Sequence, residues 1–192
     1  MTARTLLRGV GLVGAATAVG LWSAAGRGRE IDEALLEEGN RDHGPAADRV
    51  LVGVTELGSI WASAGAAAVL AVTGRHRAAG RAMAAAGVAW LAGQGLKKVF
   101  ARPRPYEADP ERVERRIDPP NGSSWPSSHP AVLVAFATVA SRDLGVGAAG
   151  RLALDALALA VGASRVYVGV HYPADVAGGL LLGRGIAALL DR

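Results

Sequence analysis

The sequence predicts an all-α, polytopic membrane protein with six transmembrane helices in a bundle. Apolar residues make up 51% of the 192-residue chain, but aromatic residues make up only 5%. The apolar residues are mainly Ala, Leu and Val, and Gly is also frequent, which suits helices that pack closely through small side chains in lipid. Apolar runs recur along the chain with short charged segments between them. Nothing in the composition marks a second domain, so residues 1–192 are expected to form one.

Six apolar runs define the expected spans. They cover residues 9–26, 50–73, 82–100, 130–141, 152–170 and 176–190. A spanning helix needs about 20 predominantly apolar residues. The first three runs satisfy this length, and the last three satisfy it only if their polar ends are included.

Two other interpretations of the runs stay open. The first run also has features of a cleaved signal peptide, because Arg4 and Arg8 precede it and Ala24 and Ala25 lie near its end. Its charge-free length is greater than such a peptide needs, which favours a retained span. A soluble helical bundle is the alternative for the whole chain, because the mean hydropathy is only +0.25.

The distribution of charge predicts a cytoplasmic N-terminus in a bacterial plasma membrane. In that orientation the cytoplasmic segments carry a clear excess of arginine: Arg4, Arg8, Arg75, Arg77, Arg81, Arg142 and Arg151. The two longer segments on the extracytoplasmic side, 27–49 and 101–128, mix both signs of charge, as the positive-inside rule requires. Within the first of these segments, Ile31, Leu35 and Leu36 suit either a short amphipathic helix on the bilayer or an ordinary connector.

Charge and cysteine content exclude several classes of partner. The formal net charge is +4, but the arginines are scattered between apolar runs, so no nucleic-acid surface is predicted. The chain has no cysteine, which excludes disulfides and thiolate metal sites. No obligate protein partner is predicted.

The acidic residues inside apolar runs, Glu56 and Asp155, are interpreted as structural. Asp155 is expected to pair with Arg151, which lies four residues earlier on the same helix.

The first of three polar clusters lies where the third apolar run ends. Lys97 falls in the last turn of the predicted helix, and Arg104 is held between Pro103 and Pro105. A lysine supplies a compact charge and an arginine supplies a planar fork, so together they can surround one anion. The alternative is that both are anchors at the membrane edge.

The other two clusters bring imidazoles to the same side of the predicted bundle. Ser127 and Ser128 lie at a helix start, where free backbone N–H groups favour an anion, and His129 follows them with a proton to donate. His171 precedes Asp175 by four residues, within reach of a turn. A carboxylate on one ring nitrogen fixes the tautomer and leaves the other nitrogen free to attack.

Together the clusters indicate a site for an anionic substrate. Two histidines and a carboxylate are also a possible metal triad, but Lys97, Arg104 and Arg165 would surround a metal ion with positive charge. We therefore expect no metal and no cofactor. A phosphate is favoured by the same arrangement.

In order and spacing, these residues resemble the type 2 phosphatidic acid phosphatase superfamily, which shares its site with vanadium-dependent haloperoxidases. The family pattern is Lys-x6-Arg-Pro, then Pro-Ser-Gly-His, then Ser-Arg-x5-His-x3-Asp. In this chain the three motifs occur in the same order, in the segments from Lys97 to Pro105, from Pro126 to His129 and from Ser164 to Asp175. One departure is Ser128, which stands where the family usually has glycine.

The resemblance implies a role for each matching residue. His171 attacks phosphorus, Asp175 orients it, and His129 protonates the leaving oxygen. The phosphoryl oxygens are held by Lys97, Arg104, Ser127, Ser128 and Arg165. The expected activity is metal-independent removal of a terminal phosphate from a lipid phosphate or diphosphate at the extracytoplasmic surface, with a polyprenyl carrier favoured over a glycerophospholipid. The alternatives are a non-enzymatic transporter or scaffold and a vanadate-dependent haloperoxidase-like enzyme.

Overall fold

The computed structural model describes residues 2–191, which form helices and connecting loops without a β-strand. The helices in this part of the chain are α1 (Ala3–Ala24), α2 (Arg29–Gly39), α3 (Pro45–Glu56), α4 (Ile60–Val72), α5 (His76–Phe100), α6 (Pro105–Ala108), α7 (Ser128–Asp143), α8 (Ala148–Tyr167) and α9 (Pro173–Leu189). The prediction of an all-α fold is confirmed for these residues. Five of the six apolar runs coincide with α1, α5, α7, α8 and α9.

The prediction of one continuous helix over residues 50–73 is wrong. This run contains most of α3 and all of α4, and the two helices are bent by 62° at the short break between them. The break contains Gly58, where an added Cβ would lie 2.6 Å from Val161 Cγ1 and 2.8 Å from His129 Cβ. Ser59 then caps α4, because its Oγ accepts a hydrogen bond from Ala62 N at 3.0 Å. Close packing against α7 and α8 therefore interrupts the helix.

Helix α7 is the centre of the bundle. It packs against α4, α5, α8 and α9, and most of its residues are buried. The facing surface of α5 is a row of fully buried alanines: Ala82, Ala85, Ala86 and Ala89. Small side chains on α5 let the two helix backbones approach closely, in agreement with the composition.

Two glycines bring α9 against the N-terminal half of α7. A Cβ on Gly183 would lie 2.7 Å from Val134 Cγ1 and closer still to the carbonyl oxygen of Ala131. A Cβ on Gly179 would lie 3.3 Å from Pro130 Cγ and would overlap the carbonyl oxygen of Ser127. This contact aligns the first turns of α7 and α9, which carry parts of two polar clusters.

The segment 27–49 contains a genuine amphipathic helix, α2. Its Leu36 is buried beside Val166 and Tyr172, whereas Ile31 and Leu35 are exposed. Asp32 on the same helix is buried, which the sequence did not indicate. Helix α2 therefore docks onto the ends of α8 and α9.

The predicted ion pair between Asp155 and Arg151 is wrong. Asp155 pairs instead with Arg184 Nη2 on α9, and Arg184 Nη1 donates to Thr138 Oγ1 at 3.1 Å. Arg151 and Asp155 have the four-residue spacing of a helix-surface ion pair, but Arg184 on the neighbouring helix binds the carboxylate instead.

Few of these helices are by themselves both long enough and apolar enough to cross a membrane. Among residues 2–191, only α1 is both long and apolar enough by itself to cross a bilayer, and the bent pair α3–α4 qualifies if it is counted as one span.

The contact between α7 and α9 predicts an asymmetric response to Gly→Ala substitutions. Gly183→Ala should destabilise the protein by about 1–3 kcal/mol, because the new methyl group overlaps Ala131 and Val134. Gly87→Ala on α5 is the matched control, since an added Cβ there meets nothing within 4 Å. Thermal unfolding in detergent should show a lower Tm only for Gly183→Ala. Equal Tm values for the two variants would contradict the packing.

Candidate active site

The predicted site residues all lie at one end of the bundle. This end is formed by the C-terminal turns of α5 and α8, the N-terminal turns of α7 and α9, and the loops beside them. The residues concerned are Lys97, Arg104, Ser127, Ser128, His129, Arg165, His171 and Asp175. Residues from distant parts of the sequence are therefore brought to a single region.

Lys97 is buried in the last turn of α5. Helix α5 ends at Phe100, and the C-cap residue Ala101 has a left-handed φ of 45°. The N–H of Ala101 donates to the carbonyl oxygen of Lys97 at 3.1 Å. Lys97 Nζ donates to the carbonyl oxygen of Ser123 at 2.6 Å. Ser123 Oγ donates back to the carbonyl oxygen of Lys97 at 2.6 Å. This exchange holds the loop before α7 against the end of α5.

Arg104 is almost completely buried, and its guanidinium is held by backbone carbonyls. It donates to Gly122 O at 2.9 Å, to Val170 O at 2.9 Å and to Asn121 O at 3.2 Å. Its Nη1 also lies 3.4 Å from His171 Nε2. The fork of Arg104 is thus fixed directly beside one ring nitrogen of His171.

Arg165 is the third buried cationic side chain. Its Nη1 donates to Thr55 Oγ1 on α3 at 2.9 Å, while its Nε is buried without a hydrogen-bond partner. Thr55 is fully buried and was not identified from the sequence. Helix α3 therefore contributes to the site through this hydroxyl.

The side chains of Lys97, Arg104 and Arg165 share one property: none of them forms an ion pair within residues 2–191. Apart from the 3.4 Å contact of Arg104 with His171, their hydrogen bonds go to carbonyl or hydroxyl oxygens. Burying a positive charge without a counter-charge is costly. The cluster is therefore electrostatically suited to an anion with several acceptor oxygens.

The carboxylate of Asp175 is occupied outside this cluster. Asp175 is fully buried, and its Oδ1 accepts from Arg102 Nη1 at 2.7 Å. Its Oδ2 accepts from Tyr172 N at 2.8 Å and from Ser124 Oγ. The same Oδ2 lies 3.6 Å from His171 Nδ1, and this nitrogen has no hydrogen-bond partner within the described residues. The structure thus places the predicted pair side by side but without a hydrogen bond.

Arg102 and Asp32 are site neighbours that the sequence reasoning missed. Arg102 bridges Asp175 to Asp32, whose Oδ2 accepts from Arg102 Nη2 at 2.6 Å. Asp32 Oδ1 also accepts from Ala174 N at 2.8 Å, at the start of α9. Burial by itself would lower the pKa of the Arg102 guanidinium, but the charge of Asp175 and the charge and hydrogen bond of Asp32 outweigh it and raise the pKa. No spacing rule connects residue 32 with residues 102 and 175, although Arg102 lies inside the first polar cluster.

The serines and His129 occupy the first turn of α7 and the residue before it. Ser127 is the N-cap, and its N–H donates to the carbonyl oxygen of Asp175 at 3.0 Å. This N–H is therefore already engaged, whereas the Oγ atoms of Ser127 and Ser128 are buried without partners. The Ser128 side chain lies against Gly93 of α5, where an added Cβ would come within 3.1 Å of Oγ. A glycine on α5 thus provides the space for the serine that departs from the family pattern.

The environment of His171 favours a neutral imidazole. Its pKa lies well below the usual value, because burial disfavours the charged ring and because Lys97, Arg165, Arg104 and His129 oppose a further positive charge. A neutral ring keeps a lone pair at neutral pH, which a nucleophile requires. With Nδ1 towards Asp175, the nitrogen beside the cationic cluster is Nε2.

The surroundings of the site contain a cavity but no group of metal ligands. Within residues 2–191, no three His, Cys, Asp or Glu side chains lie close enough together to hold a metal ion. A cavity of about 880 Å³ lies next to the site, between the end of α1, helix α2 and the segment after α5. Arg102 and Tyr172 line this cavity, and Tyr172 also stacks under the Arg102 guanidinium at 4.0 Å.

Curated relatives of this chain are bacterial lipid-phosphate enzymes. The chain is 34% identical over 96 residues to the decaprenylphosphoryl-5-phosphoribose phosphatase of Mycobacterium tuberculosis, covering 50% of each chain. It is 33% identical over 119 residues to the enzyme of the same name from Mycolicibacterium smegmatis, covering 62% of each chain. The chain thus spans about half the length of the Mycobacterium tuberculosis relative.

Solved structures share the fold over a larger part of the chain. The crystal structure of Aquifex aeolicus LpxE has a TM-score of 0.75 and 26% identity, covering 83% of this chain and 94% of that one. A transmembrane PAP2-type phosphatidylglycerolphosphate phosphatase from Bacillus subtilis has a TM-score of 0.74 and 22% identity, covering 96% and 94%. At that identity the second likeness concerns the fold alone.

The family is settled by a match that includes every predicted site residue. The PAP2 superfamily matches residues 75–191, which is more than half of the chain. This chain belongs to the PAP2 superfamily.

Proposed function

We propose that this chain is an integral-membrane lipid phosphatase that removes a terminal phosphate by way of a phosphohistidine on His171. The observation that carries the proposal is the buried cluster of Lys97, Arg104 and Arg165, which has no carboxylate partner within the described residues. A phosphoryl group supplies both the negative charge and the acceptor oxygens that this cluster lacks. The whole chain, 1–192, is proposed to act as one phosphatase domain.

The first step transfers the phosphoryl group to the protein. The Nε2 lone pair of His171 attacks phosphorus and forms the P–N bond while the P–O bond to the lipid breaks. His129 gives its proton to the leaving oxygen, so the lipid departs as an alcohol, or as a monophosphate when the substrate is a diphosphate. Lys97, Arg104 and Arg165 stabilise the charge on the equatorial oxygens as it redistributes.

The second step releases phosphate. His129, now neutral, takes a proton from water as the water oxygen attacks phosphorus. The P–N bond breaks, and the electron pair returns to His171. The Asp175 carboxylate, 3.6 Å from His171 Nδ1, favours the tautomer with a proton on Nδ1 and closes to a hydrogen bond when the ring becomes positive in the first step. Arg102 holds Asp175 in place. The sum of the steps is the hydrolysis of one phosphoric ester or anhydride bond, with all protons accounted for by the two imidazoles and water.

The proposed substrate is a phosphorylated polyprenyl carrier, with a glycerophospholipid phosphate as the second candidate. The mycobacterial relatives are named for a decaprenyl-linked phosphosugar, which favours the polyprenyl class. The 880 Å³ cavity is lined by Arg102 and Tyr172 but not by the cationic cluster or His171, so it does not decide between the two classes of substrate.

Membrane embedding is supported by the outer surface of the bundle. Several helices expose large apolar side chains: Leu7, Val10 and Leu21 on α1, Trp61, Val69 and Val72 on α4, Leu91 on α5, and Leu152 and Leu159 on α8. So much exposed apolar surface is unusual for a protein in water, whereas lipid chains cover it without cost. We propose six spans, with α3 and α4 together forming the second.

The proposed orientation puts the site at the extracytoplasmic face. The opposite end of the bundle carries Arg75, Arg77, Arg142 and Arg151, which matches a cytoplasmic surface. The substrate headgroup would then lie at the outer leaflet.

Replacing His171 should abolish turnover and the covalent intermediate together. His171→Ala removes the nucleophile, so purified protein in detergent should release no phosphate from a polyprenyl diphosphate above background. Acid-labile, base-stable phosphate incorporated into wild-type protein during turnover should be absent from this variant. His76→Ala, at the exposed start of α5, is the control and should retain both signals. Full activity in His171→Ala would exclude the mechanism.

Replacing His129 should have an effect that depends on the leaving group. His129→Ala should slow an alkyl phosphate by about 10²–10⁴-fold, because the alkoxide then leaves without a proton. With a nitrophenyl phosphate ester, the same variant should release the first equivalent of nitrophenolate rapidly and then stall, because the hydrolysis step still lacks its base. Rapid-mixing kinetics measures this burst. Equal slowing of both substrates without a burst would contradict the role.

Replacing Arg102 should lower kcat more than it changes KM. Arg102→Gln leaves the buried carboxylate of Asp175 without its charge partner, and we expect kcat to fall by about 10- to 100-fold, as when an outer partner of a reacting group is removed. Arg112→Gln is the control, since Arg112 lines the same cavity but is exposed and forms its ion pair with the surface residue Asp109. A change in KM alone would show that Arg102 binds substrate and does not position Asp175.

A further inference from the structure

A second basic cavity lies at the end of the bundle opposite the candidate active site. Its volume is about 360 Å³, and it is enclosed by the first turns of α1, the first two turns of α8 and the last turns of α7 and α9. Its charged lining residues are Arg4, Arg8, Arg142, Arg151, Arg184, Asp155 and Asp191. Arginine therefore outnumbers aspartate in this cavity.

Both aspartates are already paired. Arg184 is bound to Asp155, and Arg142 Nη1 lies 2.8 Å from Asp191 Oδ1. Arg142 Nη2 is buried and has no hydrogen-bond partner within residues 2–191. Arg142 is otherwise largely engaged by the protein, and the excess of positive charge in the cavity comes from its other arginines.

The remaining arginines, Arg4, Arg8 and Arg151, form no ion pair or hydrogen bond through their side chains within residues 2–191. Arg4 and Arg151 also lie in the first turns of α1 and α8, which carry no acidic residue. The positive end of each helix dipole adds to the positive side chains there, so the protein alone leaves this end with mutual repulsion. A bound anion would relieve it.

The outer surfaces of the helices that carry Arg8 and Arg151 are apolar. Leu7 on α1 and Leu152 on α8 are 73% and 71% exposed, and neither of them lines the cavity. A ligand in this cavity would therefore meet arginines, and the parts of it that extend along α1 or α8 would meet exposed aliphatic side chains. This combination fits an amphiphile with an anionic head.

We infer that this cavity binds the phosphate of an anionic phospholipid headgroup. The forked guanidinium groups of Arg8 and Arg151 contact the phosphate oxygens, and the acyl chains lie along the apolar surfaces of α1 and α8. In the proposed orientation this end faces the cytoplasm, where basic pockets between spanning helices suit anionic headgroups. The site is separate from His171 and does not depend on the phosphatase reaction.

The test compares the stabilisation of full-length protein by different additives in a neutral detergent. Phosphatidylglycerol should raise the Tm in a saturable manner, whereas phosphatidylcholine should not, because a ligand that binds only the folded state stabilises it by mass action. Inorganic phosphate also fits the active-site cluster of Lys97, Arg104 and Arg165, so it should raise the Tm of wild-type protein and of Arg8→Gln/Arg151→Gln equally, because without an apolar part it gains little from this cavity. A smaller rise by inorganic phosphate in the double variant than in the wild type would overturn the assignment to a lipid.

Two paired variants locate the effect. Arg8→Gln/Arg151→Gln should weaken the apparent affinity for phosphatidylglycerol by about tenfold or more, since it removes two charge-assisted contacts with the phosphate. Arg75→Gln/Arg77→Gln removes the same charge from the same end of the bundle without touching the cavity, and it should keep the wild-type response. His171→Ala should keep it as well. An equal response from the two double variants would overturn the proposal.

Discussion

The balance of charge around Asp175 is the constraint on which the candidate site depends. Arg102 neutralises this buried carboxylate and is itself shared with Asp32 on α2. Asp175 is therefore not available to neutralise Lys97, Arg104 or Arg165. The acidic and basic groups of the site are separated into a closed ion-paired network and an open cationic cluster, and His171 lies between them. This separation makes the cluster receptive to a phosphoryl group.

Small residues in the bundle bring the helices that carry the site residues close together. Gly179 and Gly183 allow α9 to approach α7, and Gly58 allows the bend between α3 and α4 beside His129. These contacts bring the first turns of α7 and α9 together, so that Ser127 N reaches the carbonyl oxygen of Asp175. Helix α3 then presents Thr55 to Arg165. The geometry of the polar groups thus depends on close packing between the helices that carry them.

Much of the site was predictable because its residues lie at helix ends in recognisable spacings. The turn from His171 to Asp175 and the helix start at Ser127 are local features, and local spacing indicates them well. The break at Gly58, the partner of Asp155 and the bridge from Asp32 to Arg102 were not predictable, because each depends on contacts between helices distant in sequence. A periodic apolar run does not reveal which neighbour will interrupt it.

The most direct test of the proposed mechanism is an experimental structure of the protein with orthovanadate, which adopts the trigonal-bipyramidal geometry of the phosphoryl transition state. We predict vanadium bonded to His171 Nε2, equatorial oxygens in contact with Lys97, Arg104 and Arg165, and the His129 imidazole beside the opposite apical oxygen. Vanadate bound away from His171, or a His129 ring too distant to reach the same vanadate, would contradict it.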